Sequence, residues 1–143
     1  MEPLFYIDED PLDDNDVGLF HQLHVRYSKR CLGIFMGRNR NVFNFGRYVV
    51  KVPRNFYGVI DNDWEGSVSN SEDCDPEDVQ YARTRLAYWK DVPIVFMEYV
   101  EYASNKEIAE RVGHVPDWTM SVDCGQVGFN RKGCLVAYDY GIR

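Results

Sequence analysis

Three short apolar stretches lie between residues 31 and 53, separated by glycine-containing turns. They cover residues 31–36, 41–45 and 48–52. Apolar stretches of this length, joined by tight turns, predict three antiparallel strands. Pro53 is expected to end the third strand, because proline has no N–H to donate to a sheet ladder. This part of the chain is therefore predicted to form a sheet.

The segment that follows predicts a helix, a loop and another strand. A weak helix is expected over residues 58–68, with Asp61 or Asn62 as its cap and Gly66 inside it. Residues 67–78 are polar and predict an exposed loop. Residues 81–89 admit two interpretations, because an Asp-Pro-Glu helix start precedes them while their apolar residues alternate as in a strand. We favour the strand.

The last third of the sequence predicts a smaller assembly. Residues 92–100 form an almost continuous apolar run that is typical of a buried strand. Ser104 and Glu107 form a capping box, which predicts a helix to about Val112 that Gly113 ends. A strand, turn and strand pattern then spans residues 127–138. The predicted fold class is α+β: an antiparallel sheet with one helix, followed by one short helix and a β-hairpin.

Length and composition favour one folded domain. The chain has 143 residues, of which 45% are hydrophobic, and this is enough apolar content to form a core. The apolar runs are shorter than the roughly 18 residues that cross a bilayer, and the acidic N-terminus is unlike a signal peptide. We therefore expect a cytoplasmic protein without a membrane partner. The spacing of the four cysteines fits neither a zinc motif nor a compact disulfide framework, and we expect reduced thiols.

Charge is strongly segregated along the chain. Residues 1–20 carry seven acids and no base, residues 21–54 carry eight bases and no acid, and the remainder carries 16 acids and eight bases. We therefore separate an acidic segment, 1–20, from a single domain, 21–143. The segment is either solvated, or it covers the basic block or a basic partner surface. The net charge of −7 argues against a nucleic acid partner.

Several motifs follow one another in a familiar order. Gly33 lies within the first predicted strand and Gly37 directly follows it, while Lys51 is centred in the apolar third strand. Glu65 lies on the weak helix that follows. Gln126 and Asp139 flank the predicted hairpin, and Asp139 begins an Asp-Tyr-Gly triplet.

In this order, the motifs resemble a reduced protein kinase fold across about residues 31–141, similar to the small kinase-like proteins found in tailed bacteriophages. The resemblance implies an N-lobe-like part, 21–100, and a reduced C-lobe-like part, 101–143. It implies ATP and Mg²⁺ as cofactors. The residues that would contact nucleotide are Gly33, Gly37, Lys51, Glu98 and Val100. In the kinase pattern Glu65 would orient Lys51, while Gln126 and Asp139 would ligate Mg²⁺.

The sequence also departs from the kinase pattern. Ser121 stands where the catalytic Asp is expected. Asp123, three residues before Gln126, is the first candidate to replace it as base, and Asp117 is the second. Phe35 occupies the position of the second glycine in the phosphate loop. Two residues follow the triplet in this sequence, so we expect no activation segment.

Two functions follow from this comparison. The preferred one is a catalytically weak or silent pseudokinase that acts by binding a host protein, which it inhibits or redirects. It requires no cofactor and acts with or without bound nucleotide. The alternative is a minimal ATP- and Mg²⁺-dependent Ser/Thr phosphotransferase, including one that phosphorylates itself. Neither function specifies an oligomeric state.

Overall fold

The computed structural model describes residues 14–67, 74–122 and 126–138. They form a mixed α+β structure, as the sequence predicts. Two compact units are present, and each is described by itself. The first contains residues 14–67 and 84–97, and the second contains residues 74–83, 98–122 and 126–138.

The first unit is built on a five-stranded sheet. Its elements are α1 (Asp14–Ser28), β1 (Gly33–Met36), β2 (Arg40–Asn44), β3 (Tyr48–Pro53), α2 (Phe56–Ser67), β4 (Thr84–Trp89) and β5 (Val92–Glu98). The strand order is β1-β2-β3-β5-β4, so β1 and β4 are the edge strands. The predicted meander is confirmed, and its third strand ends at Pro53, which lies opposite Arg40.

Helix α1 was not predicted as a helix. It runs through residue 20, the end of the proposed acidic segment, and residues 1–13 of that segment lie outside the described residues. Phe20 and Leu23, at 2% and 1% exposure, belong to the same buried cluster as Phe43 of β2 and Val50 of β3. Burial of these two apolar side chains stabilises α1 against the sheet.

Helix α2 begins two residues earlier than predicted, and its predicted cap is wrong. Asn55 caps it, because its Oδ1 accepts a hydrogen bond from the Gly58 amide at 2.9 Å. Asp61 and Asn62, the predicted caps, are buried inside the helix. A β carbon on Gly66 would lie 2.6 Å from Cβ of Leu86. Gly66 is therefore tolerated in the helix because it lets α2 approach β4 closely.

The second unit contains a three-stranded sheet and a short helix. Its elements are β6 (Glu101–Tyr102), α3 (Asn105–Val112), the 3-10 helix Asp117–Ser121, β7 (Val127–Phe129) and β8 (Leu135–Ala137). The capping box at Ser104 and Glu107 is confirmed. Gly113 ends the helix with φ 101°, a conformation that favours glycine. The strand predicted for residues 81–89 is confirmed over Thr84–Trp89 of the first unit, and the hairpin prediction is confirmed too.

The prediction of reduced cysteines is wrong for two of the four. Cys74 and Cys134 form a disulfide across 60 residues of sequence. Sequence spacing did not reveal this pair, because the two cysteines are brought together by tertiary contact. A parallel bridge between Tyr81 and Ala137 holds the segment after Cys74 beside the hairpin that contains Cys134. Cys31 is a free, half-buried thiol, and Cys124 lies outside the described residues.

Within the described ranges, the helices are too short or too polar to cross a membrane. The longest of them, α1, has 15 residues, fewer than the roughly 20 that a membrane-spanning helix requires. Cytoplasmic location stays a prediction.

Candidate functional site

Lys51 and Glu65, which the kinase pattern pairs, are in contact. Val50 and Val52 belong to the buried cluster beneath α1, so strand alternation directs Lys51 to the opposite face of the sheet. There its Nζ donates to Oε1 of Glu65 at 2.7 Å. The two residues are only 3% and 0% exposed. The pairing is therefore present, and it lies in a site with little access to solvent.

Arg40 is a second cation on Glu65, and sequence analysis missed it. Its guanidinium forms an ion pair with Oε2 of Glu65, and Arg40 is itself buried. Val42 lies directly opposite Lys51 in the sheet. Because side chains alternate along a strand, Arg40 shares a face with Val42 and hence with Lys51. The strand register could have revealed Arg40, but the sequence spacing alone does not fix that register.

Asn62 closes this network around the helix and the sheet. Its Oδ1 accepts a hydrogen bond from Nη1 of Arg40 at 3.2 Å. Its Nδ2 donates to the backbone carbonyls of Lys51 and Pro93, at 3.0 and 2.9 Å. Asn62 and Glu65 are three residues apart and share one face of α2. The network therefore connects α2 to β2, β3 and β5 through buried polar contacts.

The electrostatic consequence is that both carboxylate oxygens of Glu65 are engaged by cations. A buried carboxylate is stable when it is paired in this way, and removing a partner leaves an uncompensated charge. The ammonium of Lys51 has three N–H donors, so its burial at 3% exposure, rather than the bond to Glu65, is what limits access for a phosphate. The arrangement is suited to holding the unit together.

The turn between β1 and β2 corresponds to the predicted phosphate loop. The carbonyl of Gly37 accepts from Nη1 of Arg54 at 2.5 Å, and the carbonyl of Asn39 accepts from the Arg54 amide at 2.7 Å. The amide of Gly37 donates to the carbonyl of Arg40 at 2.8 Å. A phosphate cradle presents several backbone N–H groups to its ligand. This turn instead directs two carbonyls towards Arg54 and uses the Gly37 amide internally.

The other predicted residue of this loop is in open surroundings. Gly33 begins β1, and a β carbon added to it would have no neighbour within 4 Å. Phe35, which replaces the second glycine of the pattern, is 66% exposed. Gly33 and Gly37 thus bracket an exposed strand.

Glu98 and Val100, which the kinase resemblance implies as nucleotide contacts, belong to the second unit and are half-buried. The amide of Glu98 donates to the carbonyl of Arg83 at 3.0 Å, and its Oε2 accepts from the Arg83 amide at 2.6 Å. Glu98 therefore joins two neighbouring chain segments of that unit.

Of the two predicted Mg²⁺ ligands, Gln126 is among the described residues. Its backbone carbonyl accepts from the Tyr138 amide at 3.1 Å, which continues the β7–β8 ladder by one residue pair. Asp123, the candidate base, and Asp139 lie outside the described residues. The structure described for residues 14–67, 74–122 and 126–138 contains no group of three His, Cys, Asp or Glu placed to hold a metal.

A second buried polar contact connects α1 to the sheet. Nδ2 of Asn41 lies 3.1 Å from Nδ1 of His24, and Asn41 is fully buried. Burial lowers the pKa of His24, and the nearby His21 and Arg54 lower it further. His24 therefore favours the neutral form, in which Nδ1 can accept the amide hydrogen.

Comparison of the chain with protein-family models, curated proteins and solved structures gave no significant match. The kinase-like interpretation accordingly rests on the residues and topology of the chain itself, and it is a proposal.

Proposed function

We propose that this protein is a kinase-like scaffold that acts by binding another protein and does not transfer phosphate. The observation that carries the proposal is the condition of Lys51. Its ammonium is buried and is 2.7 Å from Glu65, which also pairs with Arg40. The residue that a kinase would use to hold nucleotide phosphates has a structural role here.

Burial of Lys51 opposes phosphate binding. Because the Lys51 ammonium has three N–H donors, a phosphate need not displace Glu65, but it would have to enter a site in which Lys51 is 3% exposed and lose its own hydration there. ATP binding at this site therefore requires the network to open.

The β1–β2 turn supports the same conclusion. The carbonyls of Gly37 and Asn39 are bonded to Arg54, and the Gly37 amide is bonded within the turn. Phosphate recognition by a backbone loop depends on N–H groups that point at the ligand. The hydrogen bonds of this turn instead stabilise the hairpin.

One observation favours the alternative, a minimal ATP- and Mg²⁺-dependent phosphotransferase. The Lys51–Glu65 pair is formed, and an active kinase requires such a pair. In that function the Lys51 ammonium would contact the nucleotide phosphates, with or without keeping its bond to Glu65. Arg40 would remain paired with the Glu65 carboxylate. The partner in either case is proposed to be a host protein, as target of binding or as substrate.

Thermal unfolding with and without Mg–ATP separates the two functions. A ligand that binds the folded state stabilises it by about 2.7 kcal/mol at a hundredfold excess over its Kd. We expect no change in Tm at millimolar Mg–ATP and no incorporation of γ-labelled phosphate. A Tm increase that Lys51→Met abolishes, while Lys106→Met on the exposed face of α3 retains it, would establish nucleotide binding at Lys51 and refute its structural role. Incorporation of labelled phosphate would overturn the proposal.

A further inference from the structure

Strand β1 has an open backbone edge. It is the terminal strand of its sheet, and in the described part of the chain it pairs with β2 alone. The hydrogen bond from the Gly37 amide to the Arg40 carbonyl marks a bonded pair, and such pairs alternate along an antiparallel ladder. Ile34 and Met36 therefore direct their N–H and C=O groups away from β2. These groups are placed to pair with another strand.

The side chains along this edge are apolar and exposed. Leu32 is 77% exposed, Phe35 66%, Met36 43% and Ile34 42%. Exposed edge strands of stable monomers are usually protected by charged residues, proline or a bulge. β1 has the sequence Gly-Ile-Phe-Met and contains no charge and no proline. An apolar edge without such protection is typical of a surface that another chain covers.

Basic residues flank both ends of the strand. Lys29 and Arg30 precede it and Arg38 follows it, and all three are exposed. The sequence contains no acid between residues 21 and 54. An approaching strand therefore meets apolar side chains at its centre and positive charge at its ends.

We propose that the outer edge of β1 binds an extended segment of an acidic protein, which adds to the sheet as a sixth strand. Main-chain hydrogen bonds to Ile34 and Met36 provide affinity, as in other cases of strand addition. Carboxylates of the segment pair with Lys29 and Arg30, which sets the partner's charge. The inference rests on the proposed function, because it names the surface with which the scaffold binds a protein.

Charge argues against a second copy as the occupant. Antiparallel pairing of two β1 strands would bring Lys29 and Arg30 of one copy beside Arg38 of the other. Like charges placed opposite one another are destabilising. An acidic segment relieves the same repulsion.

The test uses the full chain and labelled nine-residue peptides whose central five residues are Val-Tyr-Val-Tyr-Val. One peptide carries two Glu at each end, and its matched control carries two Lys at each end. Fluorescence anisotropy should show saturable binding of the acidic peptide. The affinity for the basic peptide should be lower by about tenfold or more. Raising the salt concentration should weaken the acidic complex. Equal binding of both peptides, or of neither, overturns the inference.

Two variants locate the site. Ile34→Pro removes an outward N–H without removing a β1–β2 hydrogen bond and should abolish binding. Lys29→Glu/Arg30→Glu should weaken binding about tenfold or more, whereas Lys106→Glu/Lys132→Glu, with the same change in net charge, should not. A circular dichroism spectrum and Tm confirm folding of each variant. Binding that survives both Ile34→Pro and the double reversal overturns the proposal.

Other occupants give different results. Residues 1–13 contain five acids and no base. If the acidic peptide binds only after their deletion, the edge belongs to this chain's own segment. If Ile34→Pro converts a dimer to a monomer in sedimentation, the occupant is a second copy. Either result overturns the acidic-partner inference. Peptide binding together with phosphate transfer would overturn the proposed function and leave this inference standing. Absence of phosphate transfer together with binding of neither peptide would overturn this inference and leave the proposed function standing.

Discussion

The network around Glu65 predicts unequal costs for removing its members. Glu65→Gln keeps the shape of the side chain but leaves Arg40 and Lys51 buried without the carboxylate that both contact. Removing one partner of a buried ion pair costs about 3–5 kcal/mol. Lys51→Met removes one of the two cations and leaves Glu65 paired with Arg40. Its cost should be below about 1.5 kcal/mol, because an apolar side chain of similar volume often replaces a buried charge at little cost.

Urea unfolding at pH 7 measures this difference as the free energy of unfolding. For a chain of this size a change of 1 kcal/mol shifts Tm by roughly 3–4 °C, so Glu65→Gln should lower Tm by about 9–20 °C. Glu110→Gln, on an exposed position of α3, is the matched control and should have almost no effect. If Lys51→Met is as destabilising as Glu65→Gln, or if Glu65→Gln costs less than about 1 kcal/mol, the structural role assigned to the network is refuted.

Three further predictions concern the rest of the fold. The pKa of His24 is lowered in the folded protein. Its stabilising contribution is therefore complete above the ordinary pKa of about 6.5 and is lost as pH falls through the folded value. His24→Phe should reduce the pH dependence of the urea unfolding midpoint between about pH 7.5 and 5. Gly66→Ala should destabilise by about 1–3 kcal/mol through its clash with Leu86, whereas Gly18→Ala, in helix α1 with open space around it, should stabilise by up to about 1 kcal/mol. Cys74→Ser/Cys134→Ser should lower the free energy of unfolding by about 2–4 kcal/mol.

Each of these has a direct check. If the urea midpoint of His24→Phe depends on pH as strongly as that of the unchanged protein, the pH dependence of stability comes from groups other than His24. Equal effects of the two glycine substitutions in thermal unfolding would contradict the close approach of α2 to β4. Peptide mapping without reductant should recover Cys74 and Cys134 as a linked pair, and free thiols at both positions would contradict the disulfide.

Local sequence signals identified much of the fold. The capping box at Ser104, the stop at Gly113 and the strand end at Pro53 each depend on residues a few positions apart. The Lys51–Glu65 contact was anticipated through the resemblance to the kinase pattern, in which Glu65 would orient Lys51.

Features that depend on long-range packing were missed. Helix α1 carries apolar residues at helical spacing, including Phe20 and Leu23, but the acids around them obscured the pattern. Arg40 reaches Glu65 because of strand register, which sequence spacing does not fix. The Cys74–Cys134 bond requires two segments 60 residues apart to meet. Such long-range contacts determine whether a polar side chain stabilises the fold or binds a ligand.

The side-chain ammonium signal of Lys51 provides the most direct test of the account. In a ¹H–¹⁵N spectrum it is assigned by its loss in Lys51→Met and should be observable at neutral pH, because burial and the bond to Glu65 slow its exchange with water. Mg–ATP at millimolar concentration should leave this signal unmoved. A saturable shift of the Lys51 signal with Mg–ATP would contradict it, because the ammonium would then be available to nucleotide phosphates.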